Sequence, residues 1–444
     1  MFRTIAVVAF LVYTVGILLA PQCSTAQTVQ GFQEEVRKLP DSKGRIGQWN
    51  VGGIKVIVNQ ATVITANEDV KVGVLVDVLG VASAAGFVAK KIVVSDTVAN
   101  DVVDGPYVFW KDKSTAEVVT LSDGKVNRKT YADLTSAKII GDLPGSESEI
   151  VLDPEPFKPT KADWEMPEKL MVISDLEGNY TNAIEFLKGN GVVDKDGHWN
   201  WGKGHLVLIG DLVDRGEMVT EVMWLVHRLE RESKKTGGMV HYVLGNHEAM
   251  VMGGDTRYVH PRYNFVCARL KMRYHDLFGP KTEIGRWLRS KNGVVRVGGL
   301  LFVHGGYSPD LDKAGLSMDA LNSKIRDGLP PKISTRSTLA EDPVGHQHGP
   351  FWYRGYFTAH AGTWGLASKF EIDKLLRRHS AQFVVVGHTL VDHVGLVEGT
   401  PKVIGVDVHW SETGEGLLAE NNVLYRVSMK GERTKIGALE SAKK

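Results

Sequence analysis

Hydrophobic positions change rhythm along the chain, and each change marks a boundary. Over residues 47–94 short apolar alternations are broken by Gly and Asn: Gln48-Trp49-Asn50-Val51-Gly52-Gly53, then 54–58, 72–79 and 86–94. Period-two alternation punctuated this often predicts a small antiparallel barrel, spanning 40–97. Residues 98–167 read as a linker and irregular β segment, with short strands at 107–110 and 116–121 and no ligand-type cluster. Pro154, Pro156, Pro159 and Pro167 then stiffen the chain and forbid a helix, so a second domain is placed at 168–430.

In that domain strand-like and helix-like stretches alternate, which calls for parallel strands with helices on their faces. The runs 169–174, 205–209, 239–244, 299–303 and 383–386 are almost wholly apolar, as expected of strands covered on both sides. Helices are expected at 181–188 and at 218–234, where Val222, Leu225, Val226 and Leu229 fall on one face before Gly237-Gly238 ends the helix. Each of the five strand-like runs is followed within about two residues by a polar ligand type: Asp175, Asp211, Asn246, His304 and His388. In parallel sheets the crevice beyond the carboxyl ends of the strands is where ligands bind, so residues more than 200 positions apart can meet in one site.

Composition narrows the class. Of 444 residues 43% are hydrophobic, ample for real cores, and 53 Lys plus Arg against 52 Asp plus Glu excludes nucleic acid or an anionic membrane as a bulk partner. Arg3, the apolar stretch 5–20 and Ser24-Thr25-Ala26 form a cleavable export signal over 1–26, so a periplasmic or secreted location is expected. The 16 apolar residues are short for a bilayer span, and no stable membrane insertion is expected after cleavage. Cys267 is then the sole cysteine, so no intrachain disulfide forms. Oligomeric state is not legible.

The stretch Gly210-Asp211-Leu212-Val213-Asp214-Arg215-Gly216 puts two acids and one base within five residues, enough to serve a metal and a phosphate, although a polar turn with an ion pair has the same composition. Joined to the other strand ends it supplies carboxylates and an amide oxygen for hard cations and imidazoles for borderline ones. That donor set suits two divalent ions about 4 Å apart, bridged by one carboxylate.

Gly210-Asp211-x-Val213-Asp214-Arg215-Gly216, Gly245-Asn246-His247-Glu248, His304-Gly305-Gly306 and Gly387-His388 resemble the motifs of the calcineurin-like metallophosphoesterases. The long form of the Gly210–Gly216 motif is similar to that of the phosphoprotein phosphatases, and Gly254-Asp255-x-Arg257-Tyr258-Val259, after the Asn246 motif, resembles the Shewanella-like phosphatases more narrowly. The barrel resembles small OB-like domains of exported bacterial proteins. The resemblance, over about 168–425, implies an α/β fold: a β-sandwich core with flanking helices, four layers αββα, preceded by the small all-β barrel. It makes Asp211 the bridging ligand, assigns Asn246, His304 and His388 to one metal and Asp175 to the other, and makes His247 the general acid oriented by Asp214. Arg215 and Arg354 would grip the phosphate while a metal-bound hydroxide attacks phosphorus.

The first motif departs from the family's Asp-x-His-Gly, since Glu177 stands where histidine is expected. An oxygen ligand there moves the expected ions toward manganese first, then iron or magnesium, and away from zinc; the alternative is one firm and one weak metal site. His393 and His409 stay outside the ligand set. The basic stretch 251–291 offers Arg257, Tyr258 and Arg262 to an anionic substrate, and 308–348 reads as a lid. The expected function is therefore an exported two-metal phosphatase acting on phosphomonoesters of proteins, at Ser/Thr or Tyr. The rivals are a secreted scavenging phosphatase or phosphodiesterase for nucleotides or small phosphoesters, and a non-catalytic binding protein with a degraded metal site.

Overall fold

The computed structural model describes residues 29–65, 70–83, 85–94, 102–135, 138–142, 149–330, 339 and 341–440; the export signal expected at 1–26 lies outside them. The N-terminal unit is a closed barrel of five strands, Gln30–Lys38, Gly47–Val51, Ile54–Val58, Leu75–Ser83 and Gly86–Val94, with the short Val63–Thr65 paired to the last. Neighbours among the five are antiparallel except at the closing seam, where Val56 and Phe87 align in parallel; Val63–Thr65 also runs parallel to its partner. Trp49, Val51, Val56, Val76, Val78 and Ile92 fill its interior.

The barrel starts at Gln30, not at 40 as the apolar pattern suggested. Its first strand gives Phe32 and Val36 to the barrel core but buries Gly31 and Gln33 against the second domain, so no hydrophobic alternation reveals it. Buried Gln33 is satisfied: its amide donates to Asp77 at 3.2 Å and its carbonyl accepts from the Tyr274 N–H at 2.9 Å.

The segment expected to be a linker with irregular β structure holds a three-stranded meander, Asp104–Trp110, Ala116–Ser122 and Lys125–Tyr131, which contains the short strands expected at 107–110 and 116–121 and is joined firmly to the second domain. Trp110 Nε1 donates to Glu283 at 2.6 Å, and Trp224 Nε1 donates to the Pro106 carbonyl at 3.0 Å. The second domain's sheets also begin ahead of 168, with Asp163–Trp164 paired to Val294–Val297.

Two six-stranded sheets stack face to face. One runs Met239–Val243, His205–Ile209, Lys169–Ile173, Gly416–Glu420, Val423–Val427, Arg433–Ala438; the other runs Asp163–Trp164, Val294–Val297, Leu300–Val303, Phe383–Val386, Thr400–Gly405, Gly395–Val397. Strand alternation sorts their side chains: Leu170, Val172, Val207 and Ile209 meet Phe302, Val385 and Ile404 between the sheets. Met171, Ile173, Leu206 and Leu208 pack outward with Phe186 and Leu187 of helix Tyr180–Gly189 and Leu225 and Leu229 of helix Val219–Lys235. This is the expected four-layer α/β sandwich. The five ligand-bearing strands do not form one sheet edge, however: three lie in the first sheet and two in the second, so the site forms across one end of the sandwich.

Among the described residues no helix is long and apolar enough to cross a membrane.

Candidate metal and phosphate site

At the carboxyl ends of these strands the chain turns through conformations that side chains rarely adopt. Asp175, Glu177, Asp211, Asp214, Arg215 and His388 all have positive φ, between 46° and 71°. Each costs on the order of 1 kcal/mol or more unless surrounding contacts enforce it. Glu248, fully buried, is one enforcer: its carboxylate accepts from the N–H groups of Asp211, Leu212 and Gly245 at 3.0, 2.8 and 2.8 Å and from the Tyr242 hydroxyl at 2.9 Å. Close approach does the rest. A Cβ on Gly245 would collide with Asp211 Oδ1, and one on Gly387 with Asp175 Oδ2.

Of the side chains so aimed, Asp175, Asp211, Arg215 and His388 line a cavity of about 430 Å³ together with Asn246 and His247, while Glu177, Asp214 and His304 stand behind its lining. His304 Nδ1 donates to the Ile209 carbonyl at 2.6 Å, which leaves Nε2 facing Asp211 Oδ2 and Asn246 Oδ1, both at 3.0 Å. The His304 and His388 ring centroids are 5.0 Å apart. Asp175 accepts from the His388 N–H at 3.2 and 3.1 Å, linking the two sheets. Nitrogen and oxygen donors of Asp211, His304 and His388 lie within 4.8 Å of one another, as do those of Glu177, Asp211 and His247. Glu177 is therefore within reach of the site while also ion-paired to Arg215.

Charge in this cavity is unbalanced in a way that suits cations. Burial, reinforced by Asp407 and Asp211, raises Asp175 well above the carboxylate range, and burial pushes Asp407 up to about 6. Burial would raise Asp211 too, but His304 and His247 hold it below its ordinary value. Burial opposes a charge on His304, yet Asp211 lifts it to about 9; burial, His304 and Arg354 drive His388 well below the usual imidazole value. Crowded carboxylates beside one imidazole kept neutral form a donor set that fits divalent ions.

Asp407 received no role from the sequence. It lines the cavity and lies two residues past strand Thr400–Gly405, a sixth strand obeying the same rule as the other five. Glu248, which the sequence marks only as a member of the Asn246 motif, braces the loops. His393 pairs with Glu415 at 3.0 Å and His409 is exposed; neither lines the cavity.

His247 and Asp214 meet at 2.7 Å through Nδ1, and His247 Nε2 lies 3.8 Å from Asp211 Oδ2. Burial opposes protonation of His247, but Asp211 and Asp214 raise it above its ordinary value. Arg215 and Arg354 both line the cavity; Arg354 Nη1 donates to Thr389 Oγ1 at 3.1 Å. Tyr258 and Arg257 line it as well, whereas Arg262, expected there, is spent on Asp104 and Glu221 at 3.0 and 3.2 Å. Much of the basic stretch is neutralised this way, as with Lys291 on Glu230 at 2.5 Å. The segment expected as a lid is largely packed body: Asn322 bonds the Gly293 and Val294 N–H groups at 2.8 and 3.0 Å, and Gly345 and Gln347 reach the cavity. Residues 331–338 and 340 of it lie outside the described chain.

The sequence matches the calcineurin-like phosphoesterase family over residues 168–392. An uncharacterised protein of Schizosaccharomyces pombe is 29% identical over 237 residues, 50% of this chain and 70% of its own. Shewanella-like protein phosphatase 2 of Arabidopsis thaliana is 34% identical over 116 residues, 26% of this chain and 27% of its own, so the chain spans about a quarter of that relative. The crystal structure of a cold-active protein-tyrosine phosphatase from a psychrophilic Shewanella species is 34% identical with a TM-score of 0.67, and the match covers 76% of this chain and 99% of that one. The family match takes in just over half of the residues, and its motifs are the strand-end loops that gather the donors: the chain belongs to the calcineurin-like phosphoesterase family, metal-dependent hydrolases of phosphoric esters.

Proposed function

We propose that the chain is an exported phosphomonoesterase of phosphorylated proteins, with phosphotyrosine the first substrate to test. The observation that carries the reading is that one cavity holds a carboxylate-braced imidazole, two guanidinium groups and four of the metal donors, Asp175, Asp211, Asn246 and His388, with Glu177 and His304 clustered against Asp211. Two divalent ions, manganese foremost, held by Asp175, Glu177, Asp211, Asn246, His304 and His388, would supply an activated water and neutralise phosphate charge. Arg215 and Arg354 present forks matched to phosphate oxygens, where an ammonium would be a poorer fit. His247, fixed by Asp214 at Nδ1, carries a proton at Nε2 for the departing oxygen. The aromatic side chains at the cavity, Tyr258, Trp352 and Trp364, suit an aryl ester, in keeping with the protein-tyrosine phosphatase of Shewanella that the chain resembles.

The test is hydrolysis of p-nitrophenyl phosphate, its bis-ester and phosphotyrosyl and phosphoseryl peptides under a panel of metals. The monoester and the phosphotyrosyl peptide should be preferred with manganese; preference for the bis-ester sinks the reading. Export rests on Arg3, the apolar stretch 5–20 and Ser24-Thr25-Ala26. It is checked by sequencing the amino terminus of protein recovered outside the cytoplasm, where Gln27 should come first.

A further inference from the structure

Residues 254–258 touch two bodies at once. On the cavity side the Tyr258 ring faces His247, with centroids 5.1 Å apart, and the Arg215 guanidinium at 5.2 Å, and its carbonyl accepts from the Arg215 N–H at 2.7 Å. On the other side Asp255 grips Arg257, both carboxylate oxygens accepting from Nε at 3.0 and 2.9 Å. The guanidinium then reaches the barrel: Nη1 donates to the Val29 carbonyl at 2.6 Å. The Thr256 N–H donates to the Gly31 carbonyl at 3.3 Å, and a Cβ added at Gly31 would lie 3.0 Å from the Arg257 backbone nitrogen. The first barrel strand thus presses backbone against the loop, with no room for a side chain between.

Among the described residues, none lining the catalytic cavity comes from the barrel. Tyr258 is 41% exposed, so burial alone does not hold its ring in place. Its position is set by the backbone on either side. We propose that the N-terminal barrel is a positioning unit for proton delivery, its first strand fixing residues 254–258 and so holding Tyr258 against His247 and Arg215. This rests on the reading of His247 as general acid. The consequence is specific, because a misplaced acid matters only where the departing oxygen is basic enough to need its proton.

The experiment uses the full-length, manganese-loaded protein and compares kcat on p-nitrophenyl phosphate, whose leaving group is weakly basic, with kcat on phenyl phosphate, whose leaving group is more basic. His247→Asn should lose far more on phenyl phosphate. Gly31→Val should repeat that skew, losing roughly 10-fold on phenyl phosphate and little on p-nitrophenyl phosphate. Val56→Ala, which hollows the barrel core away from the loop, should leave the ratio of the two rates at its wild-type value. If Gly31→Val does not fold, Gly31→Ala is read the same way. A skew in His247→Asn without one in the Gly31 variant overturns the barrel's role and leaves the acid standing. No skew in His247→Asn removes the acid, and the inference falls with it.

Discussion

Two groups of buried histidines sit at opposite ends of the same sandwich: at one end both rings are driven neutral, at the other the two rings are driven apart. Strand His205–Ile209 opens on His205 and leads to Asp211. At its start His205 Nδ1 meets His241 Nε2 at 3.0 Å, with Trp164 edge-on to both rings at 5.8 and 5.2 Å. At the far end stand His304 and His388. The four are similarly buried, 8% and 3% exposed against 0% and 8%. Burial disfavours the charged ring in every case, so the neighbours decide the outcome. Burial and Lys161 push His205 down to about 4, and burial with His205 pushes His241 down to about 3, offset only in part by Glu230. His304, facing Asp211, goes the other way, up to about 9. His388, beside His304 and Arg354, stays low like the structural pair, so what sets His304 apart is the Asp211 carboxylate 3.0 Å from its ring, not depth.

Removing that carboxylate's charge is the most severe test. Asp211→Asn keeps the shape and still offers an oxygen to the His247 N–H, which Asp211 Oδ1 accepts at 2.9 Å. Turnover should nevertheless fall on the order of 10³-fold, with loss of bound metal, measured by kcat/KM and metal analysis of purified protein. Unchanged turnover would erase the distinction between the two ends. Asp407→Asn should act more gently, weakening metal affinity by about 10- to 100-fold with activity recovered at high metal concentration. If metal titration curves of wild type and variant superimpose, Asp407 is only a polar cap on its strand.

The chemical end was more legible than the structural one. Five strand-end residues could be read because their strands are covered on both faces, and an almost wholly apolar run stops at an Asp, Asn or His. Asp407 ends a strand that opens Thr400-Pro401-Lys402, with Pro401 and Lys402 exposed, so only Val403 and Ile404 signalled it. Arg262 was misread as a substrate contact because its partner, Asp104, lies 158 positions earlier. The first barrel strand escaped for a related reason: Gln33 is buried by bonds to Asp77 and Tyr274, partners that no local pattern displays. Hydrophobic rhythm reports a residue's own face, and it is silent where a polar group is satisfied from far along the chain.

The smallest effect on turnover, and the cleanest contrast with Asp211, comes from the other end. His205 and His241 have folded-state pKa values of about 4 and about 3, below the 6.5 of an unperturbed imidazole. As pH falls through 6.5 the unfolded chain takes up protons that the folded chain refuses, so stability present above pH 6.5 is lost on acidification. Each histidine should cost on the order of 2 kcal/mol between pH 7 and pH 5, read from denaturant midpoints at fixed metal. Replacing both with glutamine, which cannot take up a proton there but can keep one hydrogen bond between the strands, should flatten that slope and leave kcat at pH 7 near wild type. If the slope persists in the double variant, acid sensitivity originates elsewhere, and the His205–His241 end of the sandwich is not the pH-sensitive one.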